Sequence, residues 1–137
     1  MSDRIFIDSN IIIYAFSKDE IIKAEISNNL IFGIENACIS KQVINEVINI
    51  LGKKFKLASC DIENVVLELK SSINIFDFSI HTQIQALKLK ERYQLQYYDS
   101  LIISTALENN CSILYSEDMQ HKQLIENKLT IINPFFN

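Results

Sequence analysis

The sequence contains few residues that interrupt regular structure, with only 2 glycines and 1 proline in 137 residues. Long loops are therefore not expected, and helices should dominate the chain. Hydrophobic residues make up 48% of the sequence, which is enough for one substantial core at this length. We expect a single domain over residues 1–137, with no room for a second large one.

Cysteine and long apolar runs are also scarce. Cys38, Cys60 and Cys111 are widely spaced and form no C-x-x-C motif, which fits neither a disulfide framework nor a zinc site. No apolar run approaches the ~20 residues that span a bilayer, and the N-terminus lacks the pattern of a signal peptide. These features predict a soluble cytoplasmic protein with no membrane attachment.

Positive charge is in deficit, with 13 Lys and Arg against 17 Asp and Glu. This balance argues against a protein that coats nucleic acid by bulk charge. It leaves open a protein that meets phosphates through cations bound at a local site. Lys53, Lys54 and Lys56 form the one dense basic run, for which RNA contact and a solvated helix end are both open interpretations.

Short strand patterns alternate with helical periodicity along the whole chain. The predicted strands are 3–7, 37–40, 73–78, 111–116 and 129–132, and the last of them precedes Pro134. Parallel strands joined by right-handed helical crossovers carry helices on both faces. The predicted fold class is α/β, with a sheet of four or five short, parallel strands.

The segment IFIDSNIIIYAF, residues 5–16, places Asp8 inside an almost unbroken apolar run. A buried carboxylate must be paired, hydrogen-bonded or bound to a cation, because an isolated buried charge is very costly. An ordinary interpretation is that Asp8 caps the helix that begins at Ser9. A functional role for this carboxylate is the alternative.

In open α/β sheets, functional sites form outside the carboxyl ends of the strands. Four acids lie at such positions, just after a predicted strand or near the start of a predicted helix. Asp8 follows the first strand, and Glu46 lies on the helix after the second. Asp99 opens a helix, and Asp118 follows the strand CSILYS. Taken singly, each has an ordinary interpretation as a helix cap, a solvated helix face or a turn residue, and Glu117 is an alternative to Asp118.

The set of four is more informative than its members. Two carboxylates about 4 Å apart repel by about 4 kcal/mol at an effective dielectric constant near 20. Several such pairs would match the whole stability of a domain, about 5–15 kcal/mol. Such acids must stay apart, carry protons or bind a divalent cation. Ligands that are all oxygen favour Mg²⁺ or Mn²⁺ over zinc.

Three segments together resemble the PIN-domain ribonucleases, and most closely the VapC-type toxins of toxin–antitoxin pairs: FIDSNIIIYAF, YYDSLIISTALENNCSILYSEDMQH and LTIINPF. The resemblance covers residues 3–136. It implies a PIN-like (Rossmann-like) three-layer α/β/α sandwich and hydrolysis of RNA phosphodiester bonds with Mg²⁺ or Mn²⁺. The implied catalytic metal ligands are Asp8, Glu46, Asp99 and Asp118.

The resemblance also implies supporting residues and partners. Asn10 would orient Asp8 without itself binding the cation, and Ser116 would face the same pocket. The products would carry 5′-phosphate and 3′-hydroxyl ends. A small antitoxin protein would cover an apolar surface and block the acidic pocket, and a homodimer is expected from the surplus of apolar residues on the early helices. The RNA target and the number of metal ions are left open.

Two rival interpretations belong to other classes. The first is a phosphatase or phosphotransferase with Asp8 as nucleophile, although such enzymes need a second Asp two residues on, where this chain has Asn10. The second is a non-catalytic PIN-like binding module, against which four intact acids argue.

Tyr98 is expected in the core, although it and Tyr97 could stack on bases. His81 and His121 are expected at the surface or at helix ends.

Overall fold

The computed structural model describes residues 3–136, which form a sheet flanked by helices. The strands are β1 (Arg4–Ile7), β2 (Ala37–Ser40), β3 (Asn74–Phe76), β4 (Cys111–Tyr115), β5 (Leu124–Ile125) and β6 (Leu129–Ile132). The helices are α1 (Ser9–Ala15), α2 (Ile21–Phe32), α3 (Lys41–Lys53), α4 (Ser59–Ser72), α5 (Ile80–Tyr93) and α6 (Tyr97–Glu108). The predicted α/β class is confirmed.

The sheet has the strand order β3-β2-β1-β4-β6-β5. All neighbouring pairs are parallel except β5 with β6. The sheet therefore has one strand more than the four or five expected. The additional strand, β5, is two residues long and too short to produce an alternating pattern in the sequence.

The centre of the sheet is the point where the direction of the chain reverses. From β1 the chain crosses to β2 on one side, and it later returns to β4 on the other side of β1. Ile7 is paired with Tyr115, so the carboxyl ends of β1 and β4 are adjacent. Ligand sites in open α/β sheets form at such a reversal, and here the next residues are Asp8 and Ser116.

The core packs helices onto both faces of this sheet. Phe6, Ile7, Ile39 and Leu114 on the strands are fully buried. Helix α6 is buried around almost its whole circumference, from Ser100 to Ala106, which places it at the centre of the fold. Among residues 3–136, no helix combines the length and the apolar character needed to cross a membrane.

Asp8 is the N-cap of α1, as its ordinary interpretation expects, and Ser40 is the N-cap of α3, which continues through Gly52 to Lys53. The apolar face of α2 is covered at Ile31 but not at its first turn. Helix α2 packs mainly against α1, so the first turn extends beyond the core.

Tyr98, which was expected in the core, is exposed in the structure, and so are two apolar side chains in the first turn of α2. Ile21 and Ile22 are 73% and 75% exposed, and Tyr98 is 58% exposed. Periodicity identifies an apolar face, but it does not show whether another element covers that face.

Ile31 and Ile22 on α2 provide a matched test of this packing. Ile31→Ala should lower the free energy of unfolding by about 2–5 kcal/mol, because it leaves a cavity in the core. Ile22→Ala should change it by less than about 0.5 kcal/mol. Urea unfolding of both variants measures the difference. Equal losses would contradict the packing of α2 described above.

Candidate active site

Asp8 is at once the end of the first strand and the cap of the first helix. Its backbone N–H donates to the Tyr115 carbonyl oxygen at 2.9 Å, which continues the pairing of β1 with β4. One carboxylate oxygen, Oδ1, accepts from the Ser9 backbone N–H at 2.7 Å. The other, Oδ2, accepts from Ser116 Oγ at 2.8 Å. The capping role and the site role therefore coincide in one buried carboxylate.

The environment of Asp8 disfavours its charged form. Burial raises the pKa of this carboxyl to about 6, and hydrogen bonds from Ser116 and Ser9 only partly offset that effect. The charges of Asp99 and Asp118 raise the pKa further. These two acids, about 90 and 110 residues away in the chain, are therefore electrostatic neighbours of Asp8 in the fold.

Glu46 lies in the second turn of α3, whose start is fixed because the Ser40 hydroxyl caps it. Its Oε1 atom is buried and has no hydrogen-bond partner. Burial raises the pKa of Glu46 to about 7, and repulsion from Asp8, Asp99 and Asp118 adds to the shift. An unpartnered buried carboxylate oxygen requires a proton or a cation.

Asp99 and Asp118 complete the group, which we call the acid cluster: Asp8, Glu46, Asp99 and Asp118. Asp99 is in the first turn of α6 and is half-buried. Burial and the charge of Asp118 raise its pKa. Asp118 itself is exposed, in the loop that follows β4. Four segments of the chain thus contribute one carboxylate each to the carboxyl end of the sheet.

The donor set of the acid cluster fits a hard divalent cation. All the available ligands are carboxylate oxygens, and the buried Oε1 of Glu46 lacks any other partner. Within residues 3–136, no three His, Cys, Asp or Glu side chains stand close enough to enclose a metal ion by themselves. Mg²⁺ keeps several waters and often binds through one or two carboxylates, so this open spacing agrees with its chemistry.

The family resemblance implies that Asn10 supports Asp8, but in the structure Asn10 has other partners. Its Nδ2 donates to Asp118 Oδ2 at 2.9 Å, and its Oδ1 accepts from the Glu117 backbone N–H at 3.3 Å. Both oxygens of Asp8 are already hydrogen-bonded to Ser9 and Ser116. Asn10 therefore holds the loop after β4, while the expected position of Ser116 beside Asp8 agrees with the structure.

Glu117 is directed away from the acid cluster. Its Oε1 accepts from the Tyr14 hydroxyl at 2.6 Å, and its Oε2 accepts from Lys23 Nζ at 2.6 Å. Burial raises the pKa of Glu117, but the hydrogen bonds from Lys23 and Tyr14 outweigh it and the net pKa is lowered. Of the two acids considered at this position, Asp118 is the one in the cluster. No motif in the sequence predicts the contacts of Tyr14 and Lys23 with Glu117, because they join segments about 100 residues apart.

A groove of about 540 Å³ leads away from the acid cluster. Asn10 and Asp118 line one part of it, and Lys53, Lys54 and Phe55 line another. Lys56 does not line this groove. Two of the three lysines in the basic run therefore border a path to the carboxylates.

The remaining aromatic and histidine candidates lie elsewhere. Tyr98 is exposed rather than in the core, and its ring meets that of Tyr97 edge to face at 5.5 Å between centroids. His121 Nδ1 accepts from the backbone N–H of Asn133 at 3.0 Å, and its ring stacks on Phe136. His81 is exposed at the start of α5. His81 therefore lies at an exposed helix end, as expected, whereas His121 is half-buried in the segment between β4 and β5.

A model of the PIN domain family matches residues 5–126. A toxin–antitoxin complex from Klebsiella pneumoniae has a similar structure, with a TM-score of 0.72 and 21% identity over 95% of this chain and 97% of that one. VapC20 of Mycobacterium tuberculosis, described as a sarcin–ricin loop cleaving toxin, gives a TM-score of 0.69 and 13% identity over 83% and 89%. No curated protein matches significantly.

VapBC2 from Rickettsia felis, bound to a DNA fragment from its promoter, gives a TM-score of 0.65 and 21% identity. The match covers 93% of this chain and 96% of that one. At these identities the likeness concerns the fold, which is shared over more than four fifths of each chain.

The acid cluster predicts that stability without metal falls as pH rises from about 4 to about 7. The folded state keeps protons on Asp8 to about pH 6 and on Glu46 to about pH 7, whereas the unfolded chain releases them near 3.8 and 4.5. The folded state therefore binds more protons in this interval, and the free energy of unfolding decreases with pH. The part due to Asp8 is on the order of 3 kcal/mol.

Urea unfolding in EDTA at pH 5 and pH 8 measures this dependence. Asp8→Asn should reduce it and should stabilise the protein at pH 8, since the amide carries no charge. Asp61→Asn, a change of an exposed acid in the first turn of α4, is the matched control and should leave it unchanged. Adding Mg²⁺ at pH 8 should raise the stability of the wild type. Stability that rises over this interval would contradict the description of the cluster.

Proposed function

The chain belongs to the PIN domain family, and from that membership we propose that it is a metal-dependent endoribonuclease, the toxin of a toxin–antitoxin pair. Residues 1–137 form one such domain in this proposal. The observation that carries it is the acid cluster: carboxylates from four distant segments are electrostatic neighbours at the reversal point of the sheet, and three of them have raised pKa values. Perturbed carboxylates gathered in this way are typical of catalytic sites.

Asp8 and Asp99 would be the main ligands of Mg²⁺ or Mn²⁺, and Glu46 and Asp118 would complete the ring of oxygens. When bound, such a cation stabilises developing negative charge on a phosphate and lowers the pKa of a water. Glu46 must lose its proton to act as a ligand, and its pKa is about 7. Cation affinity should therefore increase as pH rises through neutrality.

The other side chains of the site hold the carboxylates in place. Ser116 and the Ser9 backbone fix both oxygens of Asp8, so that its orientation does not depend on the cation. Asn10 fixes Asp118 through a hydrogen bond. Preorientation of this kind removes part of the cost of assembling the site around a phosphodiester. The expected products keep the phosphate on the 5′ end and leave a 3′-hydroxyl.

The groove beside the cluster would hold the RNA chain. Lys53 and Lys54 border it and can contact phosphates, and the Phe55 ring, 37% exposed, offers a surface for a base. Lys53 and Lys54 would place two positive charges along the RNA path, in a groove that Asp19, Glu20, Glu117 and Asp118 also line.

The partners in this proposal are a small antitoxin and a second copy of the chain, in the cytoplasm. The toxin–antitoxin complex from Klebsiella pneumoniae supports the first. Exposed apolar residues support both: Ile21 and Ile22 on α2, and Ile80, Ile84 and Leu87 at helical spacing on α5. Apolar surfaces of this kind typically mark protein interfaces.

The phosphatase alternative has less support from the geometry. Asp8 is only 3% exposed, which leaves little room for the phosphorus of a substrate to reach its carboxylate, whereas Oδ2, with one hydrogen bond, keeps a lone pair for a small cation. The residue two positions on, Asn10, binds Asp118 and cannot serve as an acid.

Asp8→Asn and Asp99→Asn should abolish RNA cleavage, because each removes a ligand of the cation. We expect a loss of at least ~100-fold, since changes of outer-shell groups alone cost about 10–100-fold. The measurement is cleavage of end-labelled RNA by purified protein with and without Mn²⁺, together with growth after expression in a bacterial host. Glu63→Gln on α4, an exposed acid outside the cluster, is the matched control and should behave like the wild type.

Four results would contradict the proposal. Equal toxicity of wild type and both variants would remove the link between the acids and growth arrest. Cleavage that continues in EDTA would exclude a metal-dependent reaction. Hydrolysis of a small phosphate ester without RNA cleavage would favour the phosphatase, and partner binding without any cleavage would favour the binding module.

The groove predicts unequal roles for neighbouring lysines. Lys53→Gln combined with Lys54→Gln should raise KM and lower the salt dependence of binding, with the slope of log K against log salt falling by about 0.7 per lost phosphate contact. Lys56→Gln, outside the groove, should leave both unchanged. Binding of an uncleaved RNA to Asp8→Asn protein at several salt concentrations measures the slopes. Equal effects of the three lysines would show that the groove does not hold the RNA.

A further inference from the structure

Glu117 lies at the centre of a compact polar and aromatic group beside the acid cluster, which we call the Glu117 cluster: Tyr14, Lys23 and Glu117. The Tyr14 hydroxyl and Lys23 Nζ each donate to the Glu117 carboxylate at 2.6 Å. Lys23 Nζ also lies 4.8 Å from the centroid of the Tyr14 ring and 5.2 Å from that of Phe135. These contacts join α1, α2, the loop after β4 and the C-terminal segment.

The Glu117 cluster continues into Asp118 through one side chain. Asn10 accepts from the backbone N–H of Glu117 at 3.3 Å and donates to Asp118 Oδ2 at 2.9 Å. Asn10 and Tyr14 are four residues apart on α1 and therefore lie on the same face of that helix. One face of α1 thus binds both acids that follow Ser116. Tyr14 binds the side chain of Glu117, and Asn10 binds the backbone of Glu117 and the carboxylate of Asp118.

Asp118 needs such a restraint more than its companions do. Asp8 is fixed by two hydrogen bonds and by burial, whereas Asp118 is exposed in a loop. The charges of Asp8, Asp99 and Glu46 repel it, and a free side chain in a loop would turn outward into water. Asn10 opposes this movement only while the loop keeps the Asp118 carboxylate within hydrogen-bond distance of the Asn10 side-chain amide.

We propose that Glu117 is a positioning residue that holds Asp118 in the acid cluster, by anchoring the loop after β4 to Tyr14 and Lys23. The inference rests on the proposed function, because it assigns a role within the same site. Glu117 is not one of the proposed ligands, because its carboxylate is directed away from the acid cluster, toward Tyr14 and Lys23. Tyr14 and Lys23 act through it.

The chain contains a matched control for this arrangement. Glu126 accepts from Arg92 and from the Tyr93 hydroxyl, which are the same types of donor that Glu117 has. Glu126 lies in the turn that precedes β6, and thus at the opposite end of the parallel strands from Asp8. Glu126→Gln therefore removes a comparable interaction without touching the acid cluster.

The first experiment uses the metal-free full chain and does not depend on nuclease activity. The side-chain amide of Asn10 is followed by ¹⁵N NMR in wild type, Glu117→Gln, Lys23→Met, Tyr14→Phe and Glu126→Gln. We expect the first three variants to shift the Asn10 amide toward the position of a solvated amide and to speed its hydrogen exchange. Glu126→Gln should leave it in place. An unchanged Asn10 amide in Glu117→Gln would overturn the proposal.

The second experiment separates positioning from general stability. Mn²⁺ affinity is measured by calorimetry for Glu117→Gln, Asp118→Asn and the double variant, with thermal midpoints for each. We expect Glu117→Gln to weaken Mn²⁺ binding by about 10-fold, and to have no further effect when Asp118 is already Asn. Lys23→Met should resemble Glu117→Gln, and Glu126→Gln should bind Mn²⁺ as the wild type does, even where its thermal midpoint falls.

Equal weakening by Glu117→Gln with and without the Asp118 carboxylate would show that Glu117 does not act through Asp118, and would overturn the proposal. A wild type that binds no Mn²⁺ would instead refute the metal-dependent nuclease. In that case the Asn10 amide still decides whether Glu117 controls the position of Asp118, so the two failures are distinguishable.

Discussion

The mutual repulsion of four carboxylates is the constraint on which the rest of this structure depends. Burial and like charge raise the pKa values of Asp8, Glu46 and Asp99 together, so the folded chain carries an unfavourable concentration of negative charge at one end of its sheet. Natural domains have a stability of only about 5–15 kcal/mol, and a fold does not retain such a cost without compensation. Protons, a bound cation and the surrounding hydrogen-bond donors each reduce the repulsion between these carboxylates.

The architecture explains why this concentration is possible. From β1 the chain crosses to β2 on one side and later returns to β4 on the other, so the carboxyl ends of β1 and β4 lie side by side. Asp8 and Asp118 follow these two strands, Glu46 lies in the second turn of α3, and Asp99 lies in the first turn of α6. Helix N-termini also favour negative charge, which lowers part of the cost of placing Asp99 there.

The sequence was informative where a residue acts through local chemistry. The apolar run around Asp8, the capping Ser40 and the alternation of strands with helices are local signals, and they predicted the α/β fold and the positions of the acids in it. The two-residue strand β5, the exposure of Tyr98 and the partner of Asn10 were not predictable in the same way. Each depends on which distant element lies beside it, and Asn10 bonds Asp118, more than 100 residues along the chain.

The double duty of Asp8 bears on how relatives of this chain should be interpreted. An acid that caps a helix and links two strands is useful to the fold whether or not any reaction takes place, so a descendant that has lost catalysis has reason to retain it. Glu46 has no comparable structural role, because its buried Oε1 atom has no hydrogen-bond partner. Under the proposed function, the residue at position 46 is therefore a better indicator than Asp8 of which related chains keep the reaction.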